Sequence, residues 1–180
     1  MNVVVLGAGT VGSSIADLLC QQDHNVTVVD SDPIKTKRLN EELDVRVLTG
    51  SASQSSVLFQ TGISSADVCL AVTGNDEVNI VAASMAKAMG ARRTVARVYA
   101  PVFHDLSTFD YQRHFRIDRL LSLEHLTAME LARGIRDPGS VFVDQFARGD
   151  LQVIELVVSE GKAISNPLRS LELPGNVRVG

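Results

Sequence analysis

The sequence predicts an α/β fold: a doubly wound parallel sheet over residues 1–138, followed by a partial β-rich second domain over 139–180. Three observations predict it. Short apolar runs alternate with helical periods from the first residue on. The runs are continuous, as strands buried on both faces of a sheet require, where half-buried strands would alternate. After Asp137-Pro138-Gly139, the strongest breaker in the chain, the pattern changes to hairpin-like alternation.

Residues 2–6 form the first run, and Val11, Ile15, Leu18 and Leu19 then place an apolar stripe on a helix. Residues 25–29 make the second strand, which ends at Asp30. Asp32 and Pro33 start a helix with an N-cap residue and a proline at its first position; Ile34, Leu39 and Leu43 follow on it. Residues 45–48 are the third strand, closed by Thr49-Gly50, and a short helix at 53–61 leads to the fourth strand at 67–72. The helix at 76–89 carries Val78, Ala82, Met85, Ala86 and Met89 at helical spacing and stops at Gly90. Residues 94–98 and 119–122 are strands five and six, with a mixed polar helix between them, and 123–135 is helical again. Residues 141–146 and 151–158 alternate as hairpin strands around Arg148-Gly149-Asp150. Residues 173–180 read as a turn and the start of another strand, so the second domain is expected to be incomplete.

Composition narrows the function. Hydrophobic residues are 45% of the 180 and charged ones 21%, which allows a packed core and argues against disorder. The net charge is −4, and the 13 Arg and four Lys are scattered, so nothing points to a nucleic-acid partner. Cys20 and Cys69 stand in apolar company without a CxxC, which predicts buried, reduced thiols in a cytosolic protein. The opening MNVVVLGAG lacks a basic leader and its apolar run ends at Leu6, so it reads as a strand and not a signal sequence. No run approaches the roughly 20 apolar residues that span a bilayer, and any membrane role is expected to be peripheral.

Gly7-Ala8-Gly9-Thr10-Val11-Gly12 matches G-x-G-x-x-G directly after a strand and at the opening of a helix, the context that makes it a Rossmann-type nucleotide fingerprint. Gly7 allows the turn, Gly9 lets a pyrophosphate approach the backbone, and Gly12 lets helix and strand pack closely. The helix amino end offers free N–H groups and partial positive charge. Asp30, 18 residues after Gly12, is placed to accept hydrogen bonds from an adenosine ribose and to repel a 2′-phosphate. That favours NAD, ATP or ADP over NADP. Asp32 fits the helix cap better than Asp30 does. Ser51, in Gly50-Ser51-Ala52, is placed to edge an adenine. Thr73 and Gly74 are placed to line the floor beneath phosphates or a second ribose. Asn75 and Asp76 read equally as ligand residues or as cap and first-turn residues. Arg97 reads equally as a phosphate partner or as half of a salt bridge.

The chemistry of an enzyme is not visible. Four residues after Tyr99 and Tyr111 stand Phe103 and Phe115, so neither tyrosine belongs to a Tyr-x-x-x-Lys pair. No GxxxxGK follows a strand, no Ser or Cys lies in a nucleophile elbow, and His24, His104, His114 and His125 show no metal spacing. Some 40 residues remain after Gly139, too few for the substrate domain a dehydrogenase carries. A sensing pocket is the expectation. An NAD-dependent oxidoreductase with an unidentified substrate is the competing one, and a nucleotide-sensing transcriptional partner is a third that the lack of basic patches disfavours.

Five segments in this order carry a family resemblance: GAGTVGSSIADLL, VTVVDSDP, VLTGSAS, GISSADVCLAVTGNDEVNIVAASMAKAMGA and ARVYAP. Together they resemble the TrkA N-terminal (RCK or KTN) domain, the regulatory module of bacterial potassium uptake systems and channels. The A-V-T-x-x-D-E-x-N element after G-I-x-x-A-D is the specific part. The tail, through GKAISNPLRSLELP, is similar to the opening half of a TrkA C-terminal domain. The resemblance implies a non-enzymatic subunit, cytoplasmic and peripheral to the inner face of the membrane. It implies NAD or NADH as ligand, with ATP or ADP in the same pocket. It also implies a homodimer assembling to a tetramer or octameric ring against a Trk-type potassium transporter or channel. The pocket it implies is Gly7, Gly9, Thr10, Val11, Gly12, Asp30, Ser31, Gly50, Ser51, Ala52, Thr73, Gly74 and Asp76, with Arg97 in phosphate contact. Ser51 departs from the family's usual Gly-Asp-Ala. Residues 106–115 and 123–135 are the expected assembly surface, with Phe103, Phe109, Phe115 and Leu120 as its apolar candidates, although ordinary core packing explains each of the four equally well.

Overall fold

The computed structural model describes residues 1–136, 140–146 and 151–156. The strands of the first part are β1 Asn2–Leu6, β2 Asn25–Asp30, β3 Arg46–Thr49, β4 Val68–Ala71, β5 Arg93–Arg97 and β6 Arg119–Leu121. Between and after them lie α1 Thr10–Cys20, α2 Pro33–Glu42, α3 Ser55–Gln60, α4 Asp76–Ala88, α5 Tyr111–His114 and α6 Leu123–Arg136. The six strands form one sheet in the order β3-β2-β1-β4-β5-β6, every pair parallel. Strand order reverses between β1 and β4, and ligands in such sheets lie at that switch point, beyond the carboxyl ends of the strands.

Register sets the strand ends level. Leu6 stands opposite Val29 on one side and Ala71 on the other, and Ala71 stands opposite Ala96. The segments that follow, beginning at Gly7, Asp30, Val72 and Arg97, therefore open along one edge of the sheet. The strands are apolar on both faces because both are covered. Val3 and Val5 point to one buried cluster with Val26, Val28, Ala16 of α1 and Leu39 of α2. Val4 and Leu6 point to the other, with Cys69, Ala71, Ala96 and the α4 residues Ile80, Ala82, Ala83 and Ala86. Small residues on α4 let that helix lie close to the sheet.

Several expectations need correction. Leu18 and Ile34 belong to the predicted stripes but are exposed, so the stripes on α1 and α2 are narrower than the pattern implied. Cys69 is buried, and burial pushes its thiol up to about 12. Cys20 is only half-buried; its thiol is also raised, by partial burial first and then by the charges of Asp44 and Asp17. The helix expected at 106–115 shrinks to the single turn of α5, preceded by a 3-10 turn at Pro101–His104. Local side-chain bonds favour turns there: Asp105 accepts from the Ser107 N–H at 2.9 Å, and Asp110 caps α5 through the Arg113 N–H at 2.9 Å. Of the apolar candidates for an assembly surface, Leu120 is buried and Phe103 and Phe115 pack against the core, while Phe109 remains exposed.

The chain divides into two compact units, Met1–Leu126 and Thr127–Gly180. In the second, β7 Ser140–Phe146 and β8 Leu151–Leu156 form an antiparallel hairpin with Phe146 opposite Leu151. The predicted breaker at 137–139, the extension of the last strand to 158 and the GKAISNPLRSLELP segment lie outside the described residues.

Candidate functional site

A cavity of about 580 Å³ opens at the switch point, among the segments that follow β1, β2, β3, β4 and β5. Its size and its position match those of small-molecule sites in open α/β sheets. Eleven of the sequence-predicted residues line it: Gly7, Gly9, Thr10, Val11, Asp30, Ser31, Ser51, Ala52, Thr73, Gly74 and Arg97. Three do not, and each has another task. Gly12 packs so tightly that an added Cβ would overlap the carbonyl oxygen of Gly7. Gly50 backs onto the side chain of Val57. Asp76 turns its carboxylate away, to the backbone after β5.

The three fingerprint glycines answer to different causes. Gly7 has φ +112, a left-handed conformation that side chains avoid, and a Cβ there would lie 2.9 Å from the Thr73 nitrogen. Gly7 and Gly12 are thus required by the protein itself. Gly9 is not. Its backbone is extended, at φ −74 and ψ −174, and a Cβ there would meet no protein atom within 4 Å. Gly9 also occupies the N-cap of α1 without supplying a side-chain cap, and no acidic residue stands in the first turn. The amino end of α1 therefore faces the cavity with its partial positive charge uncompensated by a side chain. Gly74, across the cavity, likewise has nothing within 4 Å of an added Cβ.

Asp30 is half-buried at the end of β2 and already holds two backbone groups. It accepts from the Ala8 N–H at 2.7 Å and from the Asp32 N–H at 2.9 Å. It thereby ties the glycine turn to β2. A carboxylate has about four acceptor directions, so two remain for the cavity. Asp32 caps α2, accepting from the Ile34 N–H at 2.8 Å. Asn75 lines the cavity and caps α4, accepting from the Val78 N–H at 2.7 Å. Its cap role is thus in place without a ligand.

The β4–β5 side is built from buried polar side chains. Asp76 accepts from the Tyr99 N–H at 3.0 and 2.9 Å and from the Ala100 N–H at 2.8 Å. Asn79, wholly buried, binds Thr73 and the backbone carbonyl of Arg97. Arg97 itself is 7% exposed. Its Nη2 donates to the Thr73 carbonyl at 2.7 Å, and its guanidinium lies 4.4 Å over the Tyr99 ring. Its Nε has no hydrogen-bond partner, and no salt bridge involves it among the described residues. A buried cation without a carboxylate is costly unless something anionic joins it. The cavity that Arg97 lines is where such a group would come from.

Sequence reasoning passes over Lys35 and gives Tyr99 and Asn79, which stand inside family segments, no role in the site. Lys35 stands in the first turn of a helix already assigned a cap, Tyr99 reads as an enzyme's tyrosine without its Lys, and Asn79 falls among the apolar residues of α4. That last position carries a signal, since a polar residue on a buried stripe needs partners. No group of three or more His, Cys, Asp or Glu among the described residues could hold a metal ion.

A family model for the TrkA-N domain matches residues 3–109. This chain belongs to the TrkA-N domain family. The TrkA-N assignment extends through curated relatives. The Trk system potassium uptake protein TrkA homolog of Archaeoglobus fulgidus is 38% identical over 180 residues, covering 99% of this chain and 41% of the relative. TrkA of Halomonas elongata is 34% identical over 155 residues, 86% of this chain and 34% of the relative. The chain thus spans about two fifths of the length of the first of these relatives and about a third of the second. Among solved structures, the TrkA-N domain of the inner membrane protein YbaL from Escherichia coli has a TM-score of 0.65 at 17% identity, covering 73% of this chain and 94% of that one. The GsuK channel bound to NAD has a TM-score of 0.64 at 19% identity, covering 81% of this chain and 25% of that one. Both share the fold of the TrkA-N domain described above.

Proposed function

We propose that this TrkA-N chain is a nucleotide-binding regulatory module of a Trk-type potassium uptake system or channel, without catalytic activity of its own. NAD or NADH, and ATP or ADP, enter the cavity at the switch point. Gly9 carries the reading: nothing in the protein requires a glycine there, and a phosphate approaching the backbone does. The amino end of α1 and the uncompensated Arg97 supply positive charge at both sides of the bound phosphates, and Asp30 takes the ribose. The adenine end lies by Ser51 and Ala52. The relatives' names supply the potassium system, and solved structures of the same fold include a GsuK channel with NAD and a GsuK form with ADP. Among the described residues no helix is long and apolar enough to cross a membrane. The module acts on a membrane-embedded potassium transporter or channel. It does so as a homodimer built into a tetramer or octameric ring, at the cytoplasmic face. Ligand binding biases which arrangement of that ring is populated.

Melting temperature and nicotinamide absorbance, followed together while the chain is titrated with NADH, NAD, NADP, ATP and ADP, test this. A ligand at 100 times its Kd adds about 2.7 kcal/mol, or about 5–10 °C at this size. Stabilisation by NADH and by ATP or ADP, little by NADP, and unchanged NADH absorbance are expected. Preference for NADP, or steady loss of NADH, would overturn the reading.

A further inference from the structure

The Arg97 corner depends on one side chain that does not line the cavity. We propose that Asn79 is a positioning residue for the anionic part of the ligand: it fixes Thr73 and, through the Thr73 carbonyl, the buried Arg97 guanidinium. The inference rests on the nucleotide-binding reading and adds a residue to it. Asn79 lies on α4, 0% exposed, on a buried face shared with Asp76 and otherwise made of Ile80, Ala82, Ala83 and Ala86. Its side-chain oxygen accepts from the Thr73 N–H at 2.8 Å and from the Thr73 hydroxyl at 2.7 Å. Its amide nitrogen donates to the Thr73 carbonyl at 3.0 Å and to the Arg97 carbonyl at 2.9 Å. The amide thus uses two acceptor directions and both of its N–H groups. All four bonds go to two residues, and both of those line the cavity.

The Thr73 carbonyl is the shared point. It takes one hydrogen from Asn79 and another from Arg97 Nη2 at 2.7 Å. Asn79 therefore anchors both ends of Arg97: its backbone directly, and its guanidinium through Thr73. With Nη2 so engaged, Nε is left buried and unpartnered. An apolar residue at position 79 would fill the same space but would leave the Thr73 N–H and the Arg97 carbonyl without this partner. A buried amide satisfied only by cavity residues does something packing alone does not require.

Asn79→Asp keeps the shape and the acceptors, loses the two N–H donors at neutral pH, and sets a negative charge beside Arg97. The folded chain and this variant would be titrated with ADP and with adenosine, each at the same interval below its own melting temperature. Lost stability is then not read as lost affinity. ADP affinity is expected to fall about tenfold or more, and adenosine affinity by less than about threefold. Should Asn79→Asp not fold, Asn79→Ser, which shortens the side chain and replaces the amide by a neutral hydroxyl, carries the same comparison. Equal losses for both ligands, or none for either, would overturn the proposal while leaving the nucleotide site standing. A wild-type chain that binds neither ligand would bring down the nucleotide reading itself.

Discussion

At the end of β1 the chain shapes its cavity wall with backbone, through Gly7, Gly9 and Gly12, whereas at the ends of β4 and β5 it does so with buried side chains, Asp76, Asn79 and Arg97. Each half also uses one aspartate to pin backbone N–H groups. Asp30 is half-buried and holds Ala8 and Asp32. Asp76 is 9% exposed and holds Tyr99 and Ala100. The difference separates two ways of making a site. The glycine half offers the ligand neutral N–H groups on a scaffold fixed by close approach. The other half holds a charge, and a buried charge must be held by a network satisfied elsewhere. The A-V-T-x-x-D-E-x-N element, the most specific sequence feature, thus tethers β4 to β5 through Asp76 and Asn79, while Val72, Thr73, Gly74, Asn75 and Val78 within it line the cavity.

This contrast can be broken by mutation. Gly12→Ala has the largest expected effect, a loss of about 3 kcal/mol or more, because the Gly7 carbonyl it meets is backbone and cannot turn aside. Urea unfolding measures it; a loss under about 1 kcal/mol would show the turn to be more yielding than described. Asp76→Ala comes next, at about 2–4 kcal/mol, since two backbone N–H groups lose a nearly buried charged acceptor. Asp30→Ala is expected to cost about 1–2 kcal/mol, its carboxylate being only half-buried. The same unfolding series ranks the pair, and Asp30→Ala costing more than Asp76→Ala would reverse the comparison.

The smallest effect lies away from the cavity. Asp118 receives Lys87 Nζ at 2.7 Å and the Thr94 N–H at 2.7 Å, tying α4 to β5 and β6. Burial works to raise its pKa. The Lys87 hydrogen bond, the Thr94 N–H, the Lys87 charge and the Thr94 hydroxyl outweigh it and hold the carboxyl below its usual value. A carboxyl lowered on folding adds stability above the unfolded value of about 4, and that stability is lost as pH falls through the folded value. The pair is more than a third exposed on the Asp118 side, so solvent screening keeps the contribution under about 1 kcal/mol. Asp118→Asn should therefore lower the melting temperature slightly at pH 7 and not at pH 2–3. An equal deficit at both would assign the effect to geometry and not to charge.

Much of this was legible in the sequence where the signal is local. Strand and helix order, the caps Asp32 and Asn75 and the fingerprint glycines follow from spacing within a few residues, and so does the placing of Asp30 at the end of β2. Arg97 is the instructive case, because the sequence left phosphate partner and salt bridge equally open. The structure shows no salt bridge to it among the described residues and an Nε without a partner. Asp76 stands in the first turn of α4, one of the two roles its position offers, but what its carboxylate holds is not legible in the sequence, because those partners lie 23 and 24 residues on.

The sequence by itself determined the parallel doubly wound sheet and the glycine turn, since hydrophobic period, backbone conformation and helix-start chemistry act over one or two turns of chain. Only the tertiary structure decided which polar residues hold the fold and which face the cavity. A side chain such as Asn79, Asp76 or Arg97 is assigned by the donors and acceptors that distant strands bring beside it, and those are set by sheet order and register. In this chain β4 and β5 stand side by side only after α4 has crossed between them.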